Sequence, residues 1–192
     1  MNIFGYPIYV GKMERHEYYK EQFMPFLKDD KYFMKHKEWA SANDTTLGHP
    51  LNKELPWEEI ADEAIHHVFQ YLQPFYPKDN IQCYADPWLN RYFKDDYQEV
   101  HSHTAMNTNF SCAYMLVKPD DEHNFCFVDK VQEFWNSIGI DRYCERVPEK
   151  MFVPEQEEGT IIIFPSNLDH FVKRNASEGM RASISMNFLL GR

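Results

Sequence analysis

Neither a secretory leader nor a membrane span is visible in this sequence. Residues Met1 to Lys12 lack the basic and then apolar order of a signal peptide. No apolar stretch approaches the roughly 18 residues that a bilayer-crossing helix requires. A cytoplasmic protein with no membrane partner is expected. Cysteine is scarce, at four residues (Cys83, Cys112, Cys126 and Cys144), and none stands at C-x-x-C spacing. A chain of 192 residues buries enough core to need no staples, so reduced thiols are expected. The N-x-S/T triplets at Asn43, Asn109 and Asn175 are then chance matches rather than glycosylation sites. Runs of Lys or Arg are also missing and the formal net charge is -10, which argues against nucleic acid as a partner. Acidic pairs such as Asp29-Asp30, Asp95-Asp96 and Asp120-Asp121 read as solvated loops. Internal repeats and low-complexity tracts are absent, which excludes solenoids and linkers.

What is present is apolar and aromatic side chain, 43% and 16% of the residues, enough to cover a sheet on both faces. One domain over residues 1–192 is expected. Its first part, 1–85, opens with an extended segment, Ile3 to Val10, that Pro7 places at a sheet edge or bulge. Helical spacing follows over Glu14 to Leu27, and a polar, turn-rich stretch over Ala40 to Asn52. A second helix runs from Pro56 to Leu72, with Glu58 and Glu59 at its positive end and a stripe of Ile60, Ala64, Val68 and Leu72. His66 and His67 read as a solvated pair on its polar side. From residue 86 onward, short apolar or alternating runs between turns predict strands near 88–93, 98–103, 110–117, 124–128, 160–164, 170–173 and 180–189. The fold class is therefore mainly β with an N-terminal helical layer, a sandwich or barrel covered on one outer face.

Three stretches of the β-rich part carry residues capable of chemistry. Glu99-Val-His-Ser-His103 places two imidazoles one residue apart, which on a strand of period two puts His101 and His103 on one face. Alone, that pattern more often marks surface histidines than metal ligands. The buried run Thr160 to Phe164 then leads through the Pro165-Ser166-Asn167 turn to Asp169-His170, so a separate strand delivers a third histidine. In the last strand Arg181, Ser183, Ser185 and Asn187 alternate with Ala182, Ile184, Met186 and Phe188. Taken alone, this segment reads first as an amphipathic strand with its polar side in water. If the apolar side packs under the helices, however, Arg181 faces the interior, where a charge without a partner costs several kcal/mol, and an anionic ligand is implied. A dicarboxylate suits a guanidinium assisted by the Ser183 hydroxyl, and three ligands on one side of a metal leave positions open opposite them. For the third ligand, His103 competes with Glu99, with Asp129, and with two histidines completed by water or an anion.

The order His-x-His, buried strand ending in Phe-Pro-Ser, Asp-His and Arg-x-Ser resembles the 2-oxoglutarate and Fe(II)-dependent oxygenases. More narrowly, the chain resembles the family of such oxygenases found in marine bacteria and their tailed phages. The matching stretches are Trp88 to Asn90, Asp96 to His103, Ser111 to Tyr114, Gly159 to Ser166, Asp169-His170 and Arg181 to Asn187. The resemblance implies a double-stranded β-helix, the jelly roll also seen in cupins, over residues 86–192. It implies iron held by His101 and His170, with His103 where the wider superfamily places a carboxylate. Arg181 and Ser183 would bind the far carboxylate of 2-oxoglutarate, with Asn90 and Tyr114 as further cofactor-binding residues. The implied reaction hydroxylates a small-molecule or peptidyl substrate with O2, releasing succinate and CO2, in the host cytoplasm if the gene is a phage's. A homodimer is compatible with all of this.

Two other readings fit parts of the pattern. A cupin-type dioxygenase with three histidines and no oxoacid explains His103 but assigns Arg181 no anion. A non-catalytic β-sandwich binding module leaves the histidines incidental. Between two core strands lies an insert at about 120–156, longer than a hairpin needs. Its Phe134, Trp135, Ile138 and Ile140, with Gly139 near the end of a short helix, form either a lid over the iron or a packed excursion without function.

Overall fold

The structure, a computed structural model, describes residues 7–40, 43–104, 108–119, 122–129, 137–139, 142–143 and 151–191. In chain order these form β1 (Tyr9–Lys12), α1 (His16–Leu27), β2 (Asp44–Thr45), α2 (Trp57–Leu72), β3 (Gln82–Tyr92), β4 (Gln98–His101), β5 (Phe110–Val117), β6 (Phe125–Val128), β7 (Met151–Phe152), β8 (Thr160–Pro165), β9 (His170–Val172) and β10 (Arg181–Gly191). Phe134, Trp135 and Ile140 of the insert, and Ile3 to Tyr6 at the start, lie outside the described residues.

The strands form two antiparallel sheets, one in the order β1-β8-β5-β10-β3-β2 and one in the order β4-β9-β6-β7. This is a double-stranded β-helix with a helical layer on the outside of the larger sheet. Side-chain alternation decides which residue meets which layer. Tyr19, Phe23 and Leu27 of α1 and Ile60, Ala64 and Val68 of α2 recur at helical spacing and are buried. They pack on Tyr114, Ile161, Ile163, Ile184, Met186 and Phe188 of the larger sheet. The opposite face of that sheet offers Ala113, Met115, Ile162 and Phe164 to Phe125, Phe127 and Leu168. Ile161 to Phe164 is thus covered on both sides, which is why it reads as a continuous apolar run. The same alternation turns Arg181, Ser183, Ser185 and Asn187 into the space between the sheets.

Tertiary pairing overrides local pattern in several places. Strand β3 begins at Gln82, not near residue 88, because β10 pairs with it in continuous register from Arg181↔Tyr92 to Gly191↔Gln82. The polar stretch around residue 44 contributes β2, where the Asp44 carboxylate accepts a 2.9 Å hydrogen bond from Arg91 Nε of β3. His67 is buried rather than solvated, since β1 passes over α2 and brings the Tyr9 hydroxyl to 2.8 Å from His67 Nδ1. Strand β4 ends at His101, so His103 lies in the following loop and not on the strand.

Candidate active site

His101 and His170 are register partners across β4 and β9, so sheet pairing alone brings two imidazoles together. His103 reaches the same place from the loop, which is tied to the turn after β8 by a 2.8 Å bond from its backbone N–H to the Ser166 carbonyl. Ring centroids stand 4.2 Å apart for His101 and His170, 5.1 Å for His103 and His170, and 5.3 Å for His101 and His103. One ring nitrogen from each falls within 4.8 Å of the others, spacing that a single metal ion can span.

The hydrogen bonds behind the rings fix what the cluster offers. His101 Nδ1 lies 2.9 Å from the Glu99 carbonyl and His170 Nδ1 lies 2.9 Å from the Leu168 carbonyl. A carbonyl only accepts, so both Nδ1 atoms carry hydrogen and both Nε2 atoms keep their lone pairs. His103 Nδ1 lies 2.6 Å from Asn187 Oδ1 and 2.8 Å from Ser111 Oγ, so with the amide oxygen facing the ring its Nε2 keeps its lone pair as well. Burial holds all three imidazoles neutral, with His103 lowered to about 4, His170 well below its ordinary value, and His101 lowered. Three neutral nitrogen donors, oriented by acceptors behind them, suit a divalent first-row metal. The donor set therefore fits Fe(II).

A cavity opens beside this cluster, lined by Trp88, Tyr92, Met115, Arg181 and Ser183 as well as the histidines. Arg181 is 4% exposed; its Nη2 donates to the Lys173 carbonyl at 3.0 Å, and its guanidinium lies 4.6 Å from the centre of the Tyr92 ring. Asn90 is buried on the cavity side of β3 and donates from Nδ2 to Ser185 Oγ at 3.1 Å, one layer behind the cavity wall. Tyr114 is not at the cavity. It points the other way, into the core under α1, with its hydroxyl 2.6 Å from His16 Nδ1, because even and odd residues of β5 face opposite layers. Glu99 accepts a hydrogen bond from the Ala40 backbone at 3.2 Å, and Asp129 lines a groove with Ile8 and Phe152. Neither carboxylate joins the histidine cluster.

Four contributors were not singled out by sequence reasoning as site residues. Tyr92 underlies Arg181 and donates from its hydroxyl to Gln98 Oε1 at 3.0 Å, while Gln98 Nε2 sits 3.4 Å from His101 Nε2. Ser111 and Asn187 stand behind His103. Their signal was the shared polar face of neighbouring strands, which becomes readable only once β5 and β10 are known to pair.

Two antiparallel sheets enclosing three imidazoles and a buried arginine make this a double-stranded β-helix with a candidate metal centre between its sheets. A family model described as a putative 2OG-Fe(II) oxygenase matches residues 86–187, and the chain belongs to that family. Fe(II) and 2-oxoglutarate are the cofactors of its members. No curated protein matches the chain in sequence. Among solved structures, EctD from S. alaskensis with bound Fe is 13% identical with a TM-score of 0.62, over 96% of this chain and 73% of that one. A Pseudomonas putida prolyl-4-hydroxylase is 10% identical with a TM-score of 0.59, over 96% and 92%. HygX from Streptomyces hygroscopicus, solved with nickel, 2-oxoglutarate and hygromycin B, is 12% identical with a TM-score of 0.57, over 95% and 82%. A 2OG-Fe(II) oxygenase family oxidoreductase from Burkholderia pseudomallei is longer, and this chain spans 57% of it. At such identities the likeness is one of fold. Among the described residues no helix is long and apolar enough to cross a membrane.

Proposed function

We propose that this protein is a 2-oxoglutarate-dependent hydroxylase in which His101, His103 and His170 hold the iron and Arg181, assisted by Ser183, holds the far carboxylate of the oxoacid. The observation that carries the reading is the convergence of three imidazoles, each with Nδ1 occupied behind the ring, beside a cavity lined by a buried arginine. When bound, iron and 2-oxoglutarate supply the oxidising chemistry, with O2 consumed and succinate and CO2 released. The chain supplies position and charge. Arg181 is directed inward by the register of β10 and kept in place by the Lys173 carbonyl and the Tyr92 ring, so an anion meets a prearranged cation. Tyr92 stays protonated, its hydroxyl pushed up to about 12 by burial, and so presents no competing anion. The apolar inner layer of Phe125, Phe127 and Phe164 against His170 keeps bulk water from one side of the cluster.

The dioxygenase that uses three histidines without an oxoacid accounts for His103 and makes no use of Arg181. Incubation under air with Fe(II) and 2-oxoglutarate separates the two, because only the first reading couples oxygen use to the conversion of the oxoacid into succinate. Iron-dependent succinate formation that disappears in His170→Ala is the expected result. Oxygen uptake with no succinate would favour the alternative. The substrate class is best sought among small molecules and peptidyl side chains.

A further inference from the structure

The three imidazoles are not held alike. His101 and His170 rest on main-chain carbonyls of Glu99 and Leu168, acceptors that no substitution can remove. His103 rests on side chains alone. Asn187 of β10 and Ser111 of β5 are register partners, 4% and 0% exposed, and form a closed triangle with the ring. Its edges are 2.6 Å from His103 Nδ1 to Asn187 Oδ1, 2.8 Å from Nδ1 to Ser111 Oγ, and 2.8 Å from Ser111 Oγ to Asn187 Oδ1.

Two hydrogen placements satisfy this triangle, and they have opposite consequences. With the amide oxygen toward the ring, Oδ1 accepts both Nδ1–H and the Ser111 hydroxyl, and Nε2 keeps a lone pair free for a metal. With the amide turned over, its NH2 group donates to Nδ1, the proton moves to Nε2, and the ring can no longer bind a metal through that atom. We infer that Asn187, together with Ser111, is the positioning residue for His103: it fixes the ring in the Nδ1–H tautomer and sets the strength of the third metal donor. The inference rests on the proposed iron site and deepens it. The purely structural alternative is that the triangle only satisfies polar groups buried between the sheets. Acceptors behind a ligating histidine raise its basicity and fix its orientation, and losing one ordinarily costs 10- to 100-fold in metal affinity. Because the acceptor is an amide and not a carboxylate, replacing it by aspartate strengthens the donor, whereas leucine of similar volume removes the acceptor.

The test uses the full chain with Co(II) as the metal probe and histidine-labelled 15N spectra of the metal-free protein to read the tautomer. In the wild type, His103 should carry its hydrogen on Nδ1. Asn187→Leu should lose that tautomer and weaken Co(II) binding at least fivefold, and Asn187→Asp should keep it and bind Co(II) at least as tightly as the wild type. If Asn187→Leu keeps both tautomer and affinity within fivefold, or if wild-type His103 carries its hydrogen on Nε2, the inference is overturned. Should Asn187→Leu not fold, Asn187→Asp decides: fivefold or greater loss of affinity overturns the inference. A wild type that binds no Co(II) would defeat the proposed iron site itself, a different result from tight binding that ignores position 187.

Discussion

Arg181 is a buried cation whose guanidinium borders the cavity beside the histidines. Removing one member of a desolvated charge pair costs about 2 kcal/mol or more, so Arg181→Ala should weaken 2-oxoglutarate at least thirtyfold. Anaerobic calorimetry with Fe(II) present measures this, and unchanged affinity would give Arg181 a purely structural role. The histidines make a second prediction. Burial places His103 at about 4 against 6.5 when unfolded, with His101 and His170 shifted the same way. A folded-state value below the unfolded one means that the unfolded chain binds more protons between them, so stability falls as pH drops from 6.5 towards 4. For His103 alone the loss is on the order of 3 kcal/mol by pH 4. Urea unfolding of the metal-free protein across that range should therefore show a shallower pH slope in His103→Gln. An identical slope would contradict a neutral buried His103. These residues were legible in the sequence as types and spacings. Their acceptors were not, because Asn187 and Ser111 are 76 positions apart and meet only through strand pairing.

Among the elements, β10 explains the most. Its apolar positions seat the helices and its polar positions form the site wall, and both facts were readable as a period of two. Which side faced inward was not readable from β10 alone; it follows from α1 and α2 covering one face of the sheet. The same parity argument corrects Tyr114. Its neighbours Ala113 and Met115 line the cavity, while Tyr114 itself joins His16 beneath α1. Tyr114→Phe should cost about 1 kcal/mol of stability through the lost hydrogen bond. Its 2-oxoglutarate affinity should stay within threefold of the wild type, measured by titration beside denaturant unfolding. A larger change in affinity would return Tyr114 to the cofactor. Short strands were the least legible elements. Strands β2 and β7 have two residues each, too few for any periodicity, and exist because β3 and β6 offer open edges.

The whole molecule divides its work between two layers. The helices, joined to the larger sheet through Phe23, Ile60 and Val68 on one side and Ile161, Ile163 and Ile184 on the other, stiffen the outer face. The smaller sheet closes the inner face and delivers His101 and His170. On the proposed assignment metal and oxoacid meet groups fixed by different strands of one closed unit, and binding both should stabilise the fold by mass action. The central claim is that one iron and one 2-oxoglutarate bind together between the sheets. Anaerobic titration of Fe(II) and 2-oxoglutarate into the protein, followed by visible absorption, tests it most directly. A charge-transfer band that saturates at one equivalent of iron, fails to form in His170→Ala and needs far more oxoacid in Arg181→Ala is the predicted result. Absence of the band in the wild type at saturating iron and 2-oxoglutarate would contradict the account.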